Sequence, residues 1–80
     1  MSKEMKYVIV GDIQPILFST MNKHSDFRCV GNITSAGFCH ITYDKLTHTF
    51  IVSVYGDSVS LVLRSKPEDA TSIERMLNDY

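Results

Sequence analysis

Residues 50–63 constrain the fold of this 80-residue chain more than any other stretch. Apolar and polar residues alternate on both sides of Gly56 and Asp57, and glycine tolerates the positive φ that a tight type II′ turn requires. The pattern therefore predicts a β-hairpin that turns at these two residues. In the register set by that turn, one face is wholly apolar and is expected in the core: Phe50, Val52, Val54, Val59, Leu61 and Leu63.

The opposite face of the predicted hairpin is a candidate binding surface. An outer sheet face is normally polar because water covers it, but such a face usually carries more lysine and glutamate than this one. Two interpretations therefore stay open: a solvated outer face, or a surface covered by the chain's own helix, by a second subunit or by a ligand. The face carries Ser53, Tyr55, Ser58, Ser60 and Arg64, with Ile51 and Val62 among them.

Residues 65–80 predict one amphipathic helix. Ser65 precedes Glu68 by three positions, as in a capping box, and Pro67 suits the first helical turn, where its missing N–H costs nothing. Apolar residues then recur at helical spacing and form one stripe that can lie on a sheet: Ala70, Ile73, Met76 or Leu77, and Tyr80.

Turn-forming residues divide the rest of the chain into short strands. Tyr7–Val10 is a β-branched run closed by glycine and aspartate, and a second strand begins at Pro15, where a missing N–H does least harm. Residues 20–26 are polar and are expected to form a loop. The remaining predictions are a strand over 27–30 that ends at Gly31-Asn32, a strand over 33–43 with a bend or bulge at Ala36-Gly37, and a turn over Asp44 to Thr47.

The predicted fold class is α+β: a small, mostly antiparallel β-sheet of five or six short strands with one C-terminal α-helix, in a single domain over residues 1–80. A chain of this length has room for one core and needs tight packing or a partner subunit to be stable. We therefore expect a homo-oligomer, also because Ile51 and Val62 make the second hairpin face too apolar to be simply solvated.

Composition excludes several classes of protein. Hydrophobic residues make up 44% and charged residues 21% of the chain, as in ordinary globular proteins. A net charge of −1 offers no basic stripe for nucleic acid. The apolar run before Gly11 is too short for a signal peptide or a membrane span. Two cysteines without an export signal indicate a reducing cytoplasm, so neither a nucleic acid nor a membrane is expected as a partner.

No catalytic, metal or cofactor signature stands out. The three histidines and two cysteines do not have the spacing by which zinc sites are recognised. His24, Ser25 and Asp26 supply the residue types of a nucleophilic triad, but sequence neighbours rarely meet in that geometry, and these residue types readily form local turns. The glycines occur singly rather than in phosphate-binding loops. We therefore expect a binding protein rather than an enzyme.

The candidate ligand-binding residues are Tyr55, Ser58, Ser60 and Arg64 of the hairpin, with His24 and Ser35 from loops. Arg64 beside the start of the predicted helix would suit an anionic group, although the acids at 68 and 69 weaken that attraction. The alternative is that the sheet face or the helix binds a protein, in which case Tyr55 is the expected anchor.

Four stretches resemble, in chain order, short proteins encoded by tailed phages and prophages: HSDF, ITSAGF, GDSVSL and SKPED, over most of the chain from about residue 15 onward. The resemblance implies a small accessory protein that acts in the cytoplasm of a bacterial host, and it supplies no active site to transfer. Small phage proteins with known roles commonly block a host protein or sequester a signalling molecule. Two functions are thus expected to compete: sequestration of a small, phosphorylated or nucleotide-like ligand in counter-defence, and inhibition of one host protein.

Overall fold

The computed structural model describes residues 2–24 and 31–79. Within these residues the chain forms a four-stranded antiparallel sheet, a short two-stranded ribbon and one helix near the C-terminus, which confirms the predicted α+β class. The strands are β1 (Ser2–Val10), β2 (Gln14–Phe18), β3 (Ile33–Asp44), β4 (Thr49–Tyr55), β5 (Asp57–Ser58) and β6 (Leu63–Arg64), and the helix is α1 (Pro67–Asn78). No helix in the described ranges is long and apolar enough to cross a membrane.

The four-stranded sheet has the order β2-β1-β3-β4. The turn between β1 and β2 forms where the sequence predicts it, because Gly11 and Asp12 both take left-handed backbone conformations, with φ of 61° and 65°, and Ile13 N–H donates to the Val10 carbonyl at 3.2 Å. The next turn, between β3 and β4, is closed by the Asp44 carboxylate, which accepts the Leu46 N–H at 2.9 Å. The second predicted strand and the turn after Asp44 are confirmed. The first strand ends at Val10 as predicted but begins at Ser2 instead of Tyr7.

One face of the sheet holds the helix and the main core. Alternate residues of β1, β3 and β4 point to this face, and they pack with Ile73 and the partly buried Ala70 and Leu77 of α1. The predicted apolar stripe of the helix is confirmed at these three positions, whereas Tyr80 lies outside the described residues. The buried members of this core are Tyr7, Ile9, Cys39, Val52 and Ile73.

The opposite face, which we call the outer face, is covered only in part. Val8, Phe18 and Ala36 form a second buried cluster there, and Leu61 and Leu63 of the ribbon region pack against it. The ribbon therefore covers one end of the outer face, and His24 packs on the same face against Phe18 and Phe38. Among the described residues, Ile51 and Tyr55 remain exposed there.

The predicted hairpin at Gly56-Asp57 is wrong in its register. β4 pairs along its whole length with β3, from Phe38↔Tyr55 to Asp44↔Thr49, and the hairpin that does form in this region pairs 57–58 with 63–64. Its turn lies over residues 59–62, because the Gly56 carbonyl accepts both the backbone N–H and the hydroxyl of Ser65. Consequently Val59 and Val62, assigned to opposite faces of the hairpin, are 86% and 88% exposed.

The N-cap of the helix lies one residue later in the chain than predicted. A residue before proline is biased toward extended backbone, and Lys66 has a φ of −118° and a ψ of 144°. Lys66 rather than Ser65 is therefore the N-cap residue, and Asp69 rather than Glu68 returns the hydrogen bond, accepting the Lys66 N–H at 2.9 Å. Proline in the first turn is confirmed; the capping role of Ser65 is not.

The predicted bulge at Ala36-Gly37 is also misplaced. β3 runs through both residues in regular pairing, and the register instead shifts between Ile9 and Val10, where one extra residue of β3 is accommodated. Gly37 is required for close approach, because a Cβ there would lie 2.8 Å from the Tyr55 carbonyl oxygen. The strand predicted over 27–30 lies outside the described residues.

Candidate functional site

The structure distributes the six predicted ligand-binding residues over several environments. Ser35 is buried on the helix side of the sheet, and His24 is buried on the outer side. Ser58 is buried in the ribbon, where its hydroxyl accepts the Leu61 N–H at 3.3 Å. The other three, Tyr55, Ser60 and Arg64, are exposed. The shared hairpin face that first grouped these residues does not exist, so any ligand role of theirs needs a different geometry.

Ser35 belongs to a buried polar cluster centred on Asp69. The Ser35 hydroxyl donates to Asp69 Oδ1 at 3.0 Å, and the Tyr7 hydroxyl donates to Oδ2 at 2.6 Å. The Lys66 N–H also donates to Oδ2, so both oxygens of the Asp69 carboxylate accept hydrogen bonds. Burial, followed by the hydrogen bond and charge of Asp69, raises the pKa of Tyr7 well above its usual value. This cluster fastens the start of α1 to the sheet.

The Asp69 cluster also bears on the predicted anion site at the helix start. A helix N-terminus attracts negative charge, and here the chain supplies that charge itself through Asp69. Arg64 lies on the ribbon, opposite Asp57 in the β5–β6 register. The sequence does carry a signal for the cluster: Asp69 precedes Ile73 by four residues and so lies on the buried stripe of the helix.

His24 is held as a structural residue. Its ring makes T-shaped contacts with Phe18 and Phe38, with centroid distances of 5.5 and 5.6 Å. Nε2 lies 2.8 Å from the Gly37 carbonyl oxygen, and since a carbonyl can only accept, Nε2 carries the proton. Through these contacts the imidazole attaches the chain after β2 to the outer face.

Tyr55 lies beside this aromatic group on the outer face. Its ring stacks on Phe38 at 5.8 Å, its hydroxyl bonds to the Glu4 carboxylate, and Lys6 Nζ lies 5.8 Å from the Phe38 ring centroid. Ile51 on the same strand is 51% exposed. The open part of the outer face thus offers one aromatic and one aliphatic contact.

A groove of about 580 Å³ opens on the helix side of the sheet, at the C-terminal end of α1. We call it the open-end groove. The rings of Tyr43 and Phe50 form a cross-strand pair in it, with centroids 5.1 Å apart. Among the described residues that line the groove, Lys3 is the charged one. The lining residues are Ser2, Lys3, Met5, Leu17, Ile41, Tyr43, Phe50 and Leu77.

The groove exists because the helix is shorter than the strands it covers. Both α1 and β3 contain 12 residues, but a helix of that length spans about 18 Å and a strand about 40 Å. α1 ends at Asn78, which hydrogen-bonds to Phe50 of β4, so no further helical turn covers Tyr43 and Lys3 on the neighbouring strands. Sequence reasoning missed this site because it placed Phe50 in the core without comparing the lengths of the elements.

Of the residues weighed for catalysis from the sequence, Ser25 and Asp26 lie outside the described residues. Cys39 is buried, and desolvation raises the pKa of its thiol to about 11, so the thiol stays protonated near neutral pH; Cys29 lies outside the described residues. Over residues 2–24 and 31–79, no group of three or more histidine, cysteine or acidic side chains is placed to hold a metal ion.

Comparison with known proteins adds no relative: no protein-family model matches the chain, and neither a curated protein nor a solved structure matches it.

Proposed function

We propose that this protein is a non-enzymatic binding protein that sequesters a small ligand in the open-end groove, and that the ligand combines a flat apolar part with an anionic group. The observation that carries the proposal is the groove itself: about 580 Å³, lined by apolar side chains apart from Ser2 and Lys3, with a tyrosine hydroxyl in addition. Small-molecule sites are typically recesses of about 300–1,000 Å³ with apolar walls and a few polar groups.

The chemistry of the lining selects the class of ligand. Tyr43 and Phe50 offer aromatic surface on which a planar ring can stack, and the Lys3 ammonium provides a counter-charge for a phosphate or carboxylate. A nucleotide-like molecule has both parts. Among the residues first predicted to bind the ligand, Ser35 and His24 are already engaged in internal hydrogen bonds, so the groove replaces them as the contact surface.

The proposed setting follows from the resemblance to small phage and prophage proteins. In that setting the protein acts in the cytoplasm of a bacterial host, where holding a signalling molecule would interrupt a defence response. No chemical step on the ligand is needed. The protein would work in stoichiometric amounts, and it would assemble as a homo-oligomer through the open part of the outer face.

Inhibition of a host protein is the second candidate function. It is favoured by Ile51 and Tyr55, which leave apolar surface exposed on the outer face. Aromatic anchors of this kind dominate protein interfaces. In this alternative the outer face contacts the host protein instead of a second subunit.

The test uses 8-anilinonaphthalene-1-sulfonate, which joins an aromatic part to an anion, as the probe. Its fluorescence should rise on binding to the folded wild type, and Tyr43→Ala should remove most of that rise. Lys3→Ala should weaken binding by about two- to five-fold, as expected for roughly 0.5–1 kcal/mol from an exposed ion pair. Arg64→Ala is the matched control, since it removes an exposed cation away from the groove.

Circular dichroism accompanies each titration, because the probe also binds loosened cores. Equal binding by wild type, Tyr43→Ala and Lys3→Ala would reject the groove as the site. Native mass spectrometry of protein purified from its bacterial host then distinguishes the two functions, since a retained small molecule supports sequestration and a retained protein supports inhibition.

A further inference from the structure

β4 has the composition of a strand that associates with copies of itself. Its sequence, residues 49–55, is TFIVSVY, with β-branched and aromatic residues but no charge, proline or glycine. Segments of this kind are the ones that stack into cross-β assemblies. β4 is also at the edge of the four-stranded sheet, where unpaired backbone groups offer a template for another strand.

Two side chains of α1 occupy that edge. Asn78 Oδ1 accepts the Phe50 N–H at 2.8 Å, and Asn78 Nδ2 donates to the Phe50 carbonyl at 3.1 Å. Glu74 Oε2 accepts the Val52 N–H at 2.8 Å. The asparagine amide thus supplies the same donor and acceptor that the peptide group of a neighbouring strand would supply. We call Glu74 and Asn78 the edge cap.

The spacing of the edge cap matches the spacing of the strand. Alternate residues of a strand direct their backbone groups to the same edge, and Phe50 and Val52 are about 6.8 Å apart along it. Residues four apart lie on one helix face and are about 6.0 Å apart along its axis. Because the helix runs opposite to β4, Asn78 meets Phe50 and Glu74 meets Val52 in register.

We propose that the edge cap keeps β4 from pairing, and that the edge it covers is a latent docking surface for the β4 strand of a second copy of this chain. Two identical edges can pair antiparallel about a two-fold axis, so the surface is complementary to itself. Edge strands are commonly protected by a lysine, a proline or a bulge within the strand, or by a helix or loop that covers the edge. β4 has no lysine or proline, and it pairs with β3 without a register shift, so the protection comes from the helix.

The test is the double variant Glu74→Ala, Asn78→Ala. We expect its mass by light scattering to rise with concentration beyond that of the wild type, and its thioflavin T fluorescence to rise with it. Adding Ser53→Lys, a charge on the exposed side of β4, should abolish the rise in thioflavin T fluorescence and lower the mass below that of the double variant. Glu74→Gln keeps an acceptor for the Val52 N–H and should associate less than Glu74→Ala.

Ile73→Val is the control for stability, since it loosens the helix core without touching the edge cap. If Ile73→Val associates as strongly as the double variant, general loosening is the cause and the proposal fails. It also fails if the double variant is folded by circular dichroism and keeps the wild-type mass. If the double variant does not fold, Asn78→Ala and Glu74→Ala are compared singly with Ile73→Val by the same two measurements, and mass equal to that control overturns the proposal.

Discussion

At the scale of single residues, Asp69 links the start of the helix to the sheet through buried hydrogen bonds. It is 3% exposed, yet a buried carboxylate is tolerated because three donors surround it, from Tyr7, Ser35 and the Lys66 backbone. The side chain both starts the helix and holds it against the sheet. An acidic residue on the buried stripe of a helix is therefore a positive signal for an internal polar cluster.

Asp69→Asn should destabilise the fold by about 1–3 kcal/mol, because an amide has one acceptor oxygen and leaves a buried donor unsatisfied. Chemical denaturation measures the change. Glu68→Gln, at the exposed neighbouring position, should alter stability by less than about 0.5 kcal/mol. Equal effects of the two variants would show that the carboxylate hydrogen bonds contribute nothing.

Alkaline pH should destabilise the fold through Cys39. Burial raises the pKa of its thiol from 9.0 to about 11, so the folded state keeps a proton that the unfolded chain releases. Stability is thus fully present below pH 9.0 and falls as the pH rises to about 11, by up to roughly 2–3 kcal/mol. Denaturation of wild type and Cys39→Ala between these values checks this: the variant should show a flatter dependence up to pH 10, above which the pKa of Tyr7 contributes in both.

At the scale of elements, sequence patterns identified where strands and the helix form better than they identified which strands pair with each other. Local backbone preferences are visible in three features of the sequence, and each one matches an element of the structure. These features are the β-branched run ending at Val10, the proline at the start of β2 and the apolar stripe of α1. The alternation over 50–63 is equally regular, but alternation specifies which residues share a face and not which strand lies alongside. β3 is a longer partner for β4 than residues 58–63, and the pairing that buries Val52 against the helix prevails.

Gly37→Ala tests the contact between these elements. The added Cβ would lie 2.8 Å from the Tyr55 carbonyl oxygen and 3.0 Å from Ser65 Cβ, so β3 and the chain after β4 must separate, at a cost of about 1–3 kcal/mol. Thermal unfolding measures the loss. Gly11→Ala is the control: it meets no atom within 4 Å and should show only the cost of a left-handed alanine, about 1 kcal/mol. A smaller effect at Gly37 would contradict the close approach.

At the scale of the whole molecule, a 12-residue helix covers only part of a longer sheet. One consequence is the open-end groove on the helix side, and the partly covered outer face is its counterpart on the other side. The sequence predicted neither, because both depend on where one element stops relative to another. The six predicted ligand-binding residues are not brought together on one surface, because Ser35 and Tyr55 point to opposite sides of the sheet.

Self-association should occur through the open part of the outer face. We expect wild type to exceed the monomer mass in light scattering at about tens of micromolar, a concentration at which specific interfaces of micromolar affinity persist. Ile51→Lys should reduce that mass to the monomer value, because a charge replaces the exposed aliphatic contact. Val59→Lys, on the ribbon turn, is the control. A monomeric wild type would contradict the expected homo-oligomer.

The position of α1 along the chain has a consequence for synthesis. Every strand precedes the helix, so during translation the sheet residues emerge before Ile73, Asp69 and the edge cap exist. Until those residues leave the ribosome, one sheet face has no cover and the β4 edge has no cap. The nascent chain is therefore most exposed to chaperones and proteases in the interval between the emergence of Tyr55 from the ribosome and that of Asn78.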